Sequence, residues 1–164
     1  MRAALRALLL LVCALVLQSG LGRIWPTGHR YADVLLVPTV LYGVGSSQRA
    51  AMLVGCCSGL LRDAWLQAGA FGLSGFSRTL LGWMLAGISS RLDLSQGAGR
   101  MVAGVAVSVA DNLMDAALRE LMDQHPRLDP VELVVRAIVT GLLSVLAGSI
   151  LDRTAGAGAL RPGS

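Results

Sequence analysis

From Ala7 to Leu17 the chain runs through eleven residues without a charged side chain, and apolar runs return at 33–45, 50–61, 71–90, 101–121 and 131–151. Inside hydrocarbon no water satisfies backbone N–H and C=O groups, so runs of this kind must close their own hydrogen bonds as helices. Composition points the same way. Charged residues are 15% and hydrophobic residues 54% of the 164, with a mean hydropathy of +0.65. A soluble domain carries roughly a quarter charged residues. The expectation is an all-α integral membrane protein: about six transmembrane helices in one antiparallel bundle with short loops. A single membrane domain covers 1–152, and a polar, disordered tail covers 153–164.

The first run follows Arg2 and Arg6 and lacks a clear small-residue cleavage site after it, so it reads as a retained helix rather than a signal peptide. Trp25 and Tyr31 in the connector suit a membrane–water interface. The second run, opened by Asp33, is shorter than the ~20 residues that cross the hydrocarbon core, and Pro38 lies in its middle. The sixth run follows a break at 125–130 that holds two prolines. An even number of helices puts both termini on one side. A small excess of arginine at the ends and loops on that side places it in the cytoplasm.

All 14 basic residues are arginines, scattered singly, and aromatics are 4%. Neither a basic stripe nor stacking platforms for nucleic acid are present. Cys13, Cys56 and Cys57 lie in apolar runs without CxxC spacing and read as small hydrophobes. His29 and His125 sit in loops, away from any nucleophile or metal-ligand pattern. The sequence therefore gives no catalytic residues, no cofactor site and no metal site.

The glycines carry more information. Gly55, Gly59 and Asp63 recur every four residues and share one helix face. Small residues at that spacing let two helices approach closely in lipid. Gly82, with Ala86, Gly87 and Ser89, offers a matching surface on the fourth helix. Gly69 and Gly72 then serve as hinges of a sharp reversal between helices three and four. A charge at the bilayer centre costs on the order of 2.5–3.5 kcal/mol, so charges within spans face the interior, pair, or reach the edge. Asp63, Arg78, Asp111, Asp115 and Arg136 all fall toward the outer leaflet and form a candidate intramembrane polar network. A bond from Arg78, or from backbone N–H groups opening helix four, is the expected partner of Asp63.

The order of features from about residue 30 to 92 resembles the bacterial rod-shape-determining membrane protein family MreD. An aspartate-led run (Asp33 onward) and the turn SSQR precede the glycine-studded GCCSGLLRDA, and FGLSGFSRTLLGWMLAGISSRL follows. The residues matched are Gly55, Gly59, Asp63, Phe71, Gly72 and Gly82, which the resemblance marks as fold- or interface-critical. It implies a non-enzymatic component of the cell-elongation machinery in the bacterial inner membrane. Its partners would be an MreC-like shape protein and, through it, the actin-like MreB and the synthases of lateral peptidoglycan. In build the family is similar to the substrate-binding subunits of energy-coupling-factor transporters. The alternative is accordingly a vitamin-binding transport subunit, with the charged residues above lining an outer-leaflet pocket.

Overall fold

The computed structural model describes residues 2–24, 32–66, 71–94, 96–123 and 129–155. Among them are six helices and no strands: α1 Arg2–Ile24, α2 Leu36–Gly45, α3 Gln48–Leu66, α4 Leu73–Ser89, α5 Gly97–Leu121 and α6 Pro130–Ala155. Trp25, His29, Tyr31, Gly69, His125 and residues 156–164 lie outside the described residues. Three helices are long and apolar enough to cross a membrane: α1 over Leu5–Arg23, α5 over Gly97–Leu121 and α6 over Pro130–Arg153. Not all six are apolar spans. In α3 and α4 the hydropathy is diluted by glycine, serine and arginine, and α2 is a ten-residue apolar helix.

The short second run has a physical reason. α2 touches each of the other five helices, and Leu36, Val37, Pro38, Thr39, Val40 and Gly43 are buried in it. A helix enclosed by protein does not need the length of one that faces lipid across a whole bilayer. Pro38 is not in the middle of this helix. Residues 33–35 form the entry turn, with Leu36 N–H donating to Asp33 O and Val37 N–H to Val34 O, so Pro38 falls in the first turn. A missing N–H costs little there. The core around α2 consists of Leu36, Val40, Leu81, Leu85, Ala103 and Val107.

Two hairpins flank α2. In the first, α3 and α4 meet backbone to backbone. A Cβ at Gly55 would run into the carbonyl of Arg78, one at Gly59 into the carbonyl of Ser74, and one at Gly82 would lie 2.6 Å from the carbonyl oxygen of Ala51. In the second hairpin, α5 and α6 cross at Gly104, whose Cβ would lie 2.8 Å from Gly141 Cα. α5 begins at Gly97, four residues before its apolar run, and Gly99 fits against the backbone of Leu94. α6 opens with Pro130 at its first position and Asp129 as its cap, the Asp129 carboxylate accepting from Val131 N–H at 2.9 Å. The second hairpin closes at its far end through an ion pair of Arg100 with Asp152 at 2.6 Å.

Side-chain burial differs from that in a water-soluble protein in two ways: large apolar side chains face outward, and polar side chains share the interior with the apolar core. Leu8, Val16, Leu53, Phe76, Val102 and Ile150 face outward, while Arg78, Asp111, Ser58, Ser77, Ser108, Thr140 and Ser144 are fully buried. An apolar exterior with polar and charged groups kept inside is the arrangement a bilayer stabilises.

Candidate functional site

Five charged side chains converge above α2. Asp33 comes from the entry turn, Arg62 from the last turns of α3, Arg78 from the second turn of α4, Asp111 from α5 and Arg136 from the second turn of α6. One oxygen of Asp33, Oδ2, accepts from Arg78 Nη2 and from Arg136 Nη2 at 2.6 Å, and Arg62 Nε makes an ion-pair contact with it at 3.2 Å. Asp111 Oδ2 lies 3.4 Å from Arg78 Nη2, 3.8 Å from Arg136 Nη2 and 3.9 Å from Arg62 Nη1. Neutral groups complete the shell. Ser77 donates to Asp111 Oδ1 at 3.3 Å, Arg62 Nη1 to Ser74 Oγ at 2.9 Å, and Arg136 Nη1 to Asn112 Oδ1 at 2.8 Å.

Arg78 and Asp111 are 0% exposed, Asp33 3% and Arg136 7%. At this burial each charge survives only by pairing, because removal from water costs several kcal/mol per ion. Three guanidinium groups face two carboxylates, so the cluster holds one positive charge in excess. Arg78 Nε and Nη1, Arg136 Nε and Asp33 Oδ1 have no hydrogen-bond partner among the described residues. The arrangement ties the connector and four helices to one point. Asp33 is its hub, joined to partners 45 and 103 residues away in the chain.

Of the network expected from the sequence, the structure brings together Arg78, Asp111 and Arg136. Asp63 and Asp115 stand elsewhere. Asp63 Oδ2 accepts from the backbone N–H groups of Gly72, at 2.9 Å, and Ser74, at 3.1 Å. It therefore caps α4 from the neighbouring helix and forms no ion pair with Arg78 among the described residues. Of the two partners expected for it, the backbone is the one observed. Carboxylates are stabilised there because the first N–H groups of a helix lack intrahelical acceptors. Gly72 takes the preceding position with φ 99°, a conformation that glycine adopts without a Cβ penalty. Asp115 pairs with Arg119 of its own helix at 3.1 Å, one turn closer to the end of α5 than the cluster.

Gly55, Gly59 and Gly82 lie in the α3–α4 contact, while Phe71 is 69% exposed just before the capped turn. Asp33 and Arg62 are the cluster members the sequence reading left out. Arg62 precedes Asp63 at a helix end and counts as a loop charge by position. Its side chain instead runs inward to Asp33. Gln18 was missed as well: its amide accepts from Val34 N–H at 2.9 Å and donates to Ala32 O at 3.3 Å, fastening α1 to the turn that carries Asp33.

No family model, no curated protein and no solved structure matches the chain.

Proposed function

We propose that the chain is a multi-pass inner-membrane protein whose six helices form one bundle with cytoplasmic termini, and that it is a non-enzymatic component of the cell-elongation machinery. It acts through protein–protein contacts with an MreC-like shape protein and, through that, with actin-like MreB and the wall synthases. The observation that carries this reading is the α3–α4 joint. The residues of the MreD-like stretch, Gly55, Gly59, Asp63, Gly72 and Gly82, meet in it as backbone contacts and a helix cap. Its ionic groups are engaged with one another, which fits a rigid platform for partners.

The test is depletion in a rod-shaped host that carries this gene. Cells should round up while vitamin uptake stays unchanged, and normal rods after clean deletion reject the reading. A periplasm-active reporter fused after Ser164 should be silent. One observation favours the second reading, a solute-binding transport subunit: the N–H groups of Arg78 and Arg136 without an acceptor are suited to a solute carboxylate. Sub-micromolar vitamin binding by the purified protein would select it.

A further inference from the structure

Between the ion cluster and the crossing of α5 with α6 lies a rung of the bundle that neither feature uses. The contacts of these two antiparallel helices step four residues at a time: Arg100 packs on Gly148, Gly104 lies beside Ser144, and Asn112 accepts from Arg136 Nη1 at 2.8 Å. The rung between the last two pairs Ser108 with Thr140. Both are 0% exposed, and neither hydroxyl has a hydrogen-bond partner among the described residues. A helical hydroxyl commonly bonds a carbonyl three or four residues back, as those of Ser58, Thr79 and Ser144 do here. Ser108 and Thr140 forgo that bond. In the cluster above them Arg78 Nε, Arg78 Nη1 and Arg136 Nε are also buried without a partner among the described residues. Arg136 stands one turn from Thr140 on α6, and Asp111, which holds Arg78, stands just under one turn from Ser108 on α5.

We propose that this rung binds one small monovalent anion of halide size, held by the Ser108 and Thr140 hydroxyls beneath the guanidinium groups of Arg78 and Arg136. Charge decides between an anion and water. Three guanidinium groups meet two carboxylates in the cluster. Asp63 and Asp115, the next carboxylates, make no ion pair with it among the described residues: Asp63 accepts from backbone N–H groups and Asp115 from Arg119. An uncompensated charge at this burial is costly. A water molecule does not cancel it, and one monovalent anion does. The unmet groups match that charge. They comprise three guanidinium N–H sites and two hydroxyls, against a single acceptor of the cluster, Asp33 Oδ1. Height sets the size. The rungs on either side are filled, and one rung of four residues is ~6 Å tall. That admits a single ion and not a solute the size of a vitamin. Such a site is independent of the shape reading, and it differs from the solute reading in its occupant.

The experiment follows the thermal midpoint of the full chain in detergent, in sodium chloride, bromide, formate and gluconate at one ionic strength, so that screening is equal. Chloride and bromide should raise the midpoint over gluconate by on the order of 5 °C at saturation. The double variant S108A/T140V removes both hydroxyls and keeps every charge. It should abolish the rise with its helical circular dichroism unchanged. Arg62→Gln leaves two guanidinium groups against two carboxylates and should abolish the rise too. In crystals grown from bromide, the anomalous peak should lie between Ser108 and Thr140, and this position decides alone if the double variant fails to fold. Equal midpoints of the unmodified chain in chloride and gluconate overturn the proposal and leave the rung to water. A rise that survives S108A/T140V overturns it as well, and so does a bromide peak found only elsewhere. A rise with formate but not with chloride gives the rung to carboxylates and overturns the halide assignment.

Discussion

The two hairpins solve one packing problem in opposite ways. α5 and α6 are long and apolar enough to cross a membrane unaided, and they meet backbone to backbone at Gly104 on Gly141, with the Arg100 side chain packed on Gly148 at their far end. α3 and α4 do not reach that hydropathy, yet they meet at three glycines with carbonyls of the opposite helix in direct reach. The first hairpin is held by three backbone contacts and a cap, the second by one backbone contact, side-chain packing and the Arg100–Asp152 pair. Where hydrocarbon does not drive helices together, close packing and internal hydrogen bonds must. The ion cluster joins the two, since Arg62 and Arg78 come from one hairpin and Asp111 and Arg136 from the other.

The largest effect should come from cutting that joint. Asp33→Ala leaves three buried guanidinium groups with one carboxylate, and removing one partner of a buried pair costs about 3–5 kcal/mol. Folded yield and the thermal midpoint in detergent should both collapse. A midpoint within a degree of the parent would show that the hairpins hold together without Asp33.

The next pair tests the contrast directly. Gly59→Ala forces a Cβ into the Ser74 backbone, which cannot yield as a side chain can, and should cost about 1–3 kcal/mol. Gly141→Ala meets mainly the Val105 side chain, with the Met101 carbonyl oxygen at 3.2 Å, and should cost less than half as much. Equal losses in denaturant titrations of the two variants would erase the distinction between the hairpins.

Asp63→Ala strips the acceptor from two N–H groups opening α4, at a cost of roughly 1–3 kcal/mol, and Asp63→Asn should be milder because it keeps an oxygen. Hydrogen exchange at Gly72 and Ser74 reports it locally. Full protection there in the alanine variant would mean that the turn holds without its cap. Arg100→Ala should do least. The Asp152 end of its pair is open to solvent, although the Arg100 stem packs on Gly148, and pairs near a surface contribute about 0–1 kcal/mol. A large drop in the thermal midpoint would show that the second hairpin relies on that clasp after all.

Much of this architecture is legible in the sequence. Hydropathy locates five of the six helices to within about five residues, while the charge-free run 7–17 marks only the middle of α1, and the four-residue spacing of Gly55, Gly59 and Asp63 identifies the face that packs. Asp63 and Gly72 are readable because their relation is local, nine residues across one turn. The hub is not. Asp33 stands at the head of an apolar run, and nothing in its neighbourhood points to arginines 45 and 103 residues onward. Asp115 misleads for the converse reason. It follows Asp111 by one helical turn, but four residues ahead of it stands its own Arg119, a nearer partner than anything across the bundle.

The hub also sets an order on biogenesis. Asp33 leaves the ribosome long before Arg136, and at 5–20 residues per second the interval is about 5–20 s. For that time the entry turn of α2 carries a carboxylate without its full set of counter-charges, and the five helices made so far cannot close around it. Completion of the last helix is then the event that seals the bundle. A chain stopped after Leu121 would present that acid to the membrane's quality-control proteases, and pulse-chase decay of such a truncation against the full chain would measure how much the final helix protects.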